Sequence, residues 1–221
     1  TYVSNNWFIT AHHIKVLDNP TGVELGGSTY SIDSGSWTRL QNSVGGDADL
    51  TMFRVQENVG LSGLSLAALP AAPGTALTLI GNGRNRAATE TAWNSSWEES
   101  PPYVYSGYKW AAGSSKRWGE NAWEASAGLV DDGYGTTDMF YTDFDDAAGE
   151  AQGATYDSGG GVFAENGGEW QLAGIMLTTA DYSGQPSGTA VYGNLTYSAD
   201  VSYNADQIQS VAAIPEPSIL A

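Results

Sequence analysis

The sequence has no cysteine and few basic residues, and each shortage narrows what the protein can be. Without cysteine, disulfide bonds give no indication of the redox compartment. Only 8 lysine and arginine residues stand against 25 aspartate and glutamate residues, which gives a net charge of −17 at pH 7. Nucleic acid and anionic membrane surfaces are therefore not expected as partners. No apolar run is long enough to cross a bilayer, so no stable membrane span is expected.

Aromatic residues and glycines are plentiful, and their arrangement indicates β-structure. The 221 residues include 8 tryptophans, 12 tyrosines and 28 glycines. Short alternating segments are separated by Gly, Asn, Asp and Ser, and no long helical periodicity occurs. Amphipathic aromatic rings suit half-buried strands. The sequence therefore predicts an all-β protein, a sandwich or a barrel, with length for one large domain or two small ones.

A serine between an acid and three glycines is the first indication of chemistry. Ser158 follows Asp157 and precedes Gly159, Gly160 and Gly161, after which an apolar strand begins. Glycines permit positive φ and close backbone approach, so a serine there can project from a tight turn beside backbone N–H groups. An acyl-transfer nucleophile needs an exposed hydroxyl next to such an oxyanion site. An ordinary glycine-rich hairpin loop explains the same residues equally well.

A base and an orienting acid for such a serine occur earlier in the chain. The only two histidines, His12 and His13, end an apolar, strand-like run. Asp49 opens an alternating strand, and its near neighbour Asp47 lacks an apolar continuation in the right phase. A serine nucleophile needs a base whose tautomer is held by a third group. The chain order His, Asp, Ser distinguishes the chymotrypsin type from the subtilisin and α/β-hydrolase orders.

Several segments resemble the trypsin-like serine peptidases. Residues 7–14, W-F-I-T-A-H-H-I, resemble the W-V-L-T-A-A-H-C segment of that family, and residues 49–55 are similar to its D-I-A-L-L-K-L segment. Residues 157–160 match the core of its G-D-S-G-G-P motif. Ile14 stands where many members carry a cysteine, which favours a bacterial relative. Three shorter matches follow in the family's order: Gly81–Gly83, Trp170–Ile175 and Ala190–Tyr192.

The resemblance implies an all-β fold of two six-stranded antiparallel Greek-key barrels with a short C-terminal helix. The first barrel would occupy residues 1–70 and be incomplete at its N-terminus, since only twelve residues precede His13. The second barrel and the helix would occupy residues 71–212, with the active site in the cleft between the barrels. Apolar residues at helical spacing support the helix, namely Val201, Ala205, Ile208 and Val211.

The resemblance also implies a serine endopeptidase that acts on a protein or peptide substrate. His13 would be the general base rather than His12, Asp49 would orient it, and Ser158 would be the nucleophile. The backbone N–H groups of Tyr156 and Ser158 would form the oxyanion hole. Tyr156 replaces a glycine, which keeps the N–H but loses the freedom to take a glycine-only conformation. Losing one such donor costs about 100- to 1,000-fold in turnover, so a weak or inactive homologue that binds peptides or glycans is the alternative.

Four residues are implied in substrate binding: Gln152, Thr178, Thr179 and Ala190. Gln152 would form the floor of the specificity pocket, and Thr179 and Ala190 would narrow its walls where open pockets have glycines. Without an acid at the floor, an Arg or Lys side chain would have no buried counter-charge. Cleavage is therefore expected after Ala, Val, Leu or similar residues. No metal and no cofactor is expected, and the protein is expected to be a monomer.

Acidic residues gather at two further places, where a calcium loop is an alternative to plain solvated loops. No EF-hand spacing is present, so solvated loops are the favoured interpretation. These acids are Asp131, Asp132, Asp143, Asp145 and Asp146. In the family, the acid before the nucleophile, here Asp157, pairs with an amine freed at an I-V-G-G sequence. No such sequence is visible, so the partner of Asp157 stays open.

The end of the chain resembles a sorting signal. Residues 213–221 contain Pro215-Glu216-Pro217, which looks like the start of the PEP-CTERM signal of exported bacterial proteins. A chance Pro-Glu-Pro tail is the alternative. Together with the peptidase resemblance, the tail implies export from a Gram-negative bacterium to the periplasm, the cell surface or the medium.

Overall fold

The first half of the chain forms short antiparallel strands. A computed structural model describes residues 1–68 and 70–213. The elements of this half are β1 (Tyr2–Ser4), β2 (Trp7–Ala11), α1 (His12–Leu17), β3 (Gly22–Leu25), β4 (Ser28–Ser31), β5 (Thr38–Gln41) and β6 (Asp47–Arg54). Strands β1, β2, β6 and β5 form a four-stranded sheet in that order, and β3 pairs with β4. A bridge between Ile32 and Val55 links the hairpin region to the end of β6. The first half therefore supplies six strands.

The histidine pair does not continue strand β2. The chain turns into α1 directly after Ala11, so His12 and His13 stand in the first turn of a six-residue helix. The sequence predicts that the two histidines end a strand-like run, so the short helix differs from that prediction. Six residues span fewer than two helical turns, so no apolar periodicity can reveal such a helix.

The second half is an antiparallel barrel with a smaller sheet beside it. Its strands are β7 (Ser65–Leu66), β8 (Ala76–Gly81), β9 (Arg84–Arg86), β10 (Thr91–Trp93), β11 (Tyr105–Ser114), β12 (Arg117–Ala122), β13 (Ala125–Asp131), β14 (Thr136–Asp143), β15 (Gly161–Asn166), β16 (Glu169–Ala180), β17 (Thr189–Val191) and β18 (Leu195–Asp200). The main sheet has the order β12-β8-β15-β16-β18-β14-β13, and β7 lies parallel to β16. Strands β9, β10 and β17 pair with β11.

The main sheet closes because its two edge strands are consecutive in the chain. Only Trp123 and Glu124 separate β12 from β13. The Trp123 amide donates to the carbonyl of Thr75 at 2.9 Å, next to β8, and the Glu124 amide donates to that of Tyr141 in β14 at 3.1 Å. Strands β12 and β13 are thus two parts of one bent strand, and the barrel has six strands.

One hydrophobic core crosses from the first half to the second. Ile9 of β2 and Leu50 of β6 belong to the same buried cluster as Leu172 and Ile175 of β16. Ile208 near the C-terminus belongs to it as well. Burying an aliphatic side chain of this size stabilises the fold by about 1.5–3 kcal/mol. The core therefore fixes the two halves against each other, while the boundary at residues 70 and 71 stays a prediction.

The predicted C-terminal helix is confirmed. A 3₁₀ turn over Val201–Asn204 leads into α2 (Ala205–Ala212). The Asp200 carboxylate caps the turn by accepting from the Ser202 amide at 3.0 Å. No helix within residues 1–68 and 70–213 is long and apolar enough to cross a membrane. The Pro-Glu-Pro segment lies outside the described residues.

Candidate active site

His13 and Asp49 are joined by two hydrogen bonds. The His13 amide donates to Oδ1 of Asp49 at 2.7 Å, and Nδ1 of the ring lies 2.6 Å from Oδ2. Asp49 is fully buried and His13 is 9 % exposed. An ionised carboxylate can only accept, so Nδ1 carries the ring proton and Nε2 keeps its lone pair. The His13 ring is thereby held in the tautomer that a general base needs.

Strand β6 and the β13–β14 hairpin together hold Asp49 in the interior. The Asp49 amide donates to Oγ1 of Thr137 at 2.8 Å. Gly135 packs so closely on this strand that a Cβ atom there would lie 2.5 Å from the Asp49 nitrogen. A side chain larger than hydrogen at residue 135 would therefore push the hairpin away from the acid.

The loop that carries Ser158 consists of two consecutive turns. The Asp157 amide donates to the carbonyl of Ala154 at 2.9 Å, and the Gly160 amide donates to that of Asp157 at 2.9 Å. Gly159 has a φ of 81° and packs against Thr10 of β2, where a Cβ atom would collide with the threonine hydroxyl. The loop is therefore fixed against the strand that leads to His13.

The Ser158 hydroxyl donates to a strand carbonyl. Its Oγ lies 3.3 Å from the carbonyl oxygen of Leu177 in β16. Within residues 1–68 and 70–213, no hydrogen bond joins Ser158 to His13. A distance of 3.3 Å is long for a hydroxyl donor, whose optimum is about 2.7–2.8 Å. The bond to Leu177 is therefore weak, and a rotation about χ1 would break it at low cost.

Tyr156 adopts the left-handed conformation that favours glycine. Its φ is 80°, which costs a non-glycine residue about 1–2 kcal/mol. A residue other than glycine was expected to exclude this conformation. Tyr156 adopts it nevertheless, and a neighbouring side chain helps to explain why. The Arg84 guanidinium lies 4.9 Å from the centre of the Tyr156 ring and donates to its hydroxyl at 3.4 Å. A cation over an aromatic face contributes about 0.5–1 kcal/mol at an exposed site, which offsets part of the strain.

Two amides of this loop have no protein acceptor. In the described part of the chain, neither the Tyr156 nor the Ser158 N–H donates a hydrogen bond to another residue. They flank Asp157, where the two consecutive turns meet. Two such donors beside a nucleophile are what an oxyanion hole requires.

Backbone amides occupy both oxygens of Asp157. Oδ1 accepts from the Gly83 amide at 2.6 Å and Oδ2 accepts from the Ala154 amide at 2.9 Å. Burial raises the pKa of this carboxyl group, and the two amide bonds oppose that shift. The Gly81–Gly83 segment therefore supplies a hydrogen-bond partner for Asp157, which the sequence alone does not identify.

Two of the four expected substrate-binding residues line one large cavity. Gln152 and Ala190 border a cavity of about 760 Å³, whereas Thr178 and Thr179 do not. Nε2 of Gln152 donates to Oδ1 of Asn194 at 3.5 Å, and its Oε1 is buried without a hydrogen-bond partner in the described residues. The sequence analysis missed the arginines of the cavity wall, which are Arg84, Arg86 and Arg117.

The β13–β14 hairpin brings two further residues to the candidate site. The ring of Tyr134 lies 5.2 Å from that of His13, centre to centre. Oδ1 of Asp132 accepts from the amide of Gly135, the residue that packs on the Asp49 amide. Burial raises the pKa of Asp132 to about 6, and the negative charge of Asp49 adds to that shift. Sequence reasoning treated Asp131 and Asp132 only as a loop or a calcium ligand set, and within the described residues no three His, Asp or Glu side chains are grouped as a metal site.

Comparisons with known proteins reveal a common fold. No protein-family model and no curated protein sequence matches the chain. The Rv3671c protease of Mycobacterium tuberculosis H37Rv is similar in structure. Its inactive form, a serine-to-alanine mutant, has a TM-score of 0.58 and 16% sequence identity, and the match covers 97% of this chain and 82% of that one. Its active form has a TM-score of 0.57 and 16% identity over 97% and 74% of the two chains.

A third similar structure is the passenger domain of the plasmid encoded toxin, an autotransporter enterotoxin of enteroaggregative Escherichia coli. Its TM-score is 0.55 at 12% identity, over 95% of this chain and 21% of that one. At such identities the likeness establishes the fold alone. The chain has the trypsin-like double β-barrel fold with a short C-terminal helix, as the sequence predicts.

Proposed function

We propose that the protein is a serine endopeptidase that hydrolyses peptide bonds through His13, Asp49 and Ser158. The single observation that carries this proposal is the buried pair in which Nδ1 of His13 lies 2.6 Å from Oδ2 of Asp49. A protease with the same fold supports it. A buried histidine held by both its amide and its ring has the orientation and tautomer of a general base.

In the proposed reaction, Ser158 forms and then loses an ester bond. Nε2 of His13 takes the hydroxyl proton while Oγ attacks the peptide carbonyl carbon. The C–N bond then breaks, and His13 gives the proton to the leaving amine. Water attacks the acyl-enzyme, its proton passes to His13, and the C–Oγ bond breaks as Oγ takes that proton back. Asp49 stays ionised and stabilises the imidazolium at each proton transfer.

The oxyanion of each tetrahedral intermediate would be held by the amides of Tyr156 and Ser158. Their lack of protein acceptors in the described part of the chain supports this role. The φ of 80° at Tyr156 supports it as well, because the turn keeps its shape without a glycine. Removal of one such donor would cost about 2.7–4 kcal/mol of transition-state stabilisation.

The substrate is proposed to be a protein or peptide with a neutral residue before the cleaved bond. Gln152 and Ala190 would contact that side chain, and Thr178 and Thr179 of β16 would pair with the substrate backbone. Three arginines and three acids line the same cavity, so the preference for a neutral side chain is proposed on Gln152 at the predicted pocket floor. Because Gln152 carries no charge, selectivity among small apolar residues would be modest, about 1–3 kcal/mol per methylene.

The second candidate is a weak or inactive homologue that binds a peptide or glycan. It is favoured by the Ser158 hydroxyl, which donates to the Leu177 carbonyl rather than to His13. The aromatic residues that could serve a glycan site pack on one another. Trp97 stacks on Tyr105 at 4.2 Å, and Tyr182 lies 5.1 Å from Tyr105. Their mutual contacts explain these rings without a ligand.

Covalent labelling with a fluorophosphonate tests the proposal. The probe phosphonylates an activated serine, so the full chain should label at Ser158, and Ser158→Ala should abolish labelling. Ser62→Ala, which changes an exposed serine between the barrels, is the control and should label normally. A folded protein that does not label, yet binds a peptide or glycan saturably, would support the second candidate instead.

Export from a Gram-negative bacterium is proposed on the family resemblance and the Pro215-Glu216-Pro217 tail. The autotransporter passenger of similar fold is consistent with an exported protein. Fractionation of the native host should find the full-length protein in the periplasm, at the cell surface or in the medium. Recovery in the cytoplasm alone would contradict the proposal.

A further inference from the structure

The tip of the β13–β14 hairpin covers the buried side of the His13–Asp49 pair. The ring of Tyr134 lies against that of His13, and the close approach of Gly135 to the Asp49 amide leaves no room for a side chain. Asp132 precedes both residues in the same hairpin tip. The hairpin therefore brings a second carboxyl group to an acid that is already fully buried.

The two oxygens of Asp132 have different surroundings. Oδ1 accepts from the amides of Tyr134 at 3.0 Å and Gly135 at 3.2 Å. Oδ2 is buried and has no hydrogen-bond partner in the described residues. Gly135, which donates to Oδ1, packs on the Asp49 amide, so the hairpin holds the Asp132 carboxyl group near Asp49. Oδ1 is thus used to close the hairpin, and Oδ2 is left without a donor.

Two ionised carboxylates in contact are strongly unfavourable, and a shared proton removes the repulsion. Among residues 1–68 and 70–213, no cation forms an ion pair with Asp132, and Arg39 donates to the carbonyls of Ala48 and Tyr134 and pairs with Asp47 at 3.3 Å. The hairpin also carries the exposed Asp131 and Tyr134, and the Tyr134 ring lies against that of His13. A proton on Oδ2 of Asp132 would let that oxygen donate a hydrogen bond to Asp49 and would remove the repulsion between the two carboxylates.

We propose that Asp132 is a positioning residue of the proposed catalytic triad, which donates a hydrogen bond from its protonated Oδ2 to the Asp49 carboxylate. The inference rests on the proposed function. Asp49 would then accept from the His13 amide, the His13 ring and Asp132, so its carboxyl plane is fixed from two sides. When Asp132 loses its proton, a second negative charge enters the site and the hydrogen bond to Asp49 is lost.

Carbon-13 NMR titration of the side-chain carboxyl groups tests the contact without any need for activity. In the full chain, Asp132 should titrate near pH 6 rather than near the ordinary value of 3.8. Asp49→Asn removes the partner charge and should lower that midpoint, whereas Asp131→Asn, on the exposed side of the hairpin, should leave it unchanged. A midpoint near 3.8 in the wild type, or no response to Asp49→Asn, would overturn the inference.

A second arm measures the pH dependence of the rate at which a fluorophosphonate labels Ser158. Asp132→Asn keeps the acceptor for the hairpin amides and presents an N–H₂ donor to Asp49, so labelling should persist. Its pH profile should differ from that of the wild type around pH 6, because the carboxyl group that ionises there is replaced by an amide. Asp131→Asn should show the wild-type profile. An unchanged profile in folded Asp132→Asn would contradict the positioning role. Absence of labelling in every variant would contradict the proposed function and leave the NMR arm to decide the contact.

Discussion

Gly159, which follows Ser158 in the chain, packs directly against Thr10 of β2, and a methyl group would not fit between them. This contact joins the loop that carries Ser158 to the strand that leads into His13. Two residues far apart in the chain are thereby held in one arrangement by a single steric fit. The geometry of the candidate site depends on it.

Gly159→Ala should therefore damage both folding and labelling. The substitution forces a Cβ onto Thr10 in addition to the strain of a positive φ, and we expect a loss of about 2–4 kcal/mol in unfolding free energy. Gly167→Ala is the matched control, because Gly167 also has a positive φ of 63° but nothing within 4 Å of a Cβ. Denaturant unfolding measures both, and equal losses would show that the contact with Thr10 contributes nothing.

Asp49→Asn should lower the labelling rate at Ser158 by about 10⁴-fold. The amide can donate to Nδ1 of His13, which stabilises the wrong tautomer and places the proton on Nε2. Asp47→Asn, two residues earlier on an exposed side chain, should label within about twofold of wild type. A labelling rate that survives Asp49→Asn would mean that His13 is not oriented by this acid.

Thr137→Val should cost about 1–3 kcal/mol of stability, because it leaves the buried Asp49 amide without its acceptor at 2.8 Å. Thr142→Val on the same strand is the control. Thr142 is equally buried, but its hydroxyl has no hydrogen-bond partner in the described residues. Its replacement should therefore leave the free energy of unfolding nearly unchanged in chemical denaturation. A similar loss at both positions would mean that the Thr137 hydroxyl does not stabilise the fold through its hydrogen bond.

The stability of the protein should fall as Asp132 ionises. Its pKa is raised in the folded state from 3.8 to about 6, so its stabilising contribution is complete below pH 3.8 and is lost as the pH rises through 6. Asp132→Asn should therefore raise the free energy of unfolding by about 1 kcal/mol over wild type at pH 7 and leave it unchanged at pH 3.5. The value at pH 7 is reduced for solvent screening. Urea unfolding at the two pH values checks this, and a constant difference between the proteins would contradict it.

Peptide libraries should show cleavage after Ala, Val, Leu or similar residues in preference to Arg, Lys or Trp. Gln152, which borders the cavity, provides no counter-charge for a basic side chain. A cation buried there without a partner would cost several kcal/mol. Dominant cleavage after Arg or Lys would mean that an acid such as Asp146, which lines the same cavity, reaches the substrate side chain.

Alternation and spacing are local properties of the chain, and from them the sequence by itself predicted the all-β class and supported the C-terminal helix. The double barrel followed from the resemblance to trypsin-like serine peptidases. The sequence also singled out His13, Asp49 and Ser158 by motif, and their catalytic roles stay predictions. The helix that begins at His12 escaped it, since a six-residue helix leaves no periodic pattern.

Only the tertiary structure decided which residues surround these three. Three contacts depend on strand register and loop packing. The Asp132 carboxyl group lies near that of Asp49, the Gly83 amide donates to Asp157, and the Arg84 guanidinium lies over the Tyr156 ring. Each contact joins segments that are remote in the chain, and no local pattern records such a pairing. Even the Ser158 hydroxyl, identified from its neighbours in sequence, takes its direction from a carbonyl on β16. The physical reason is that motifs encode chemical type, whereas the partner of a buried polar group is chosen by whatever the folded chain brings within hydrogen-bond distance.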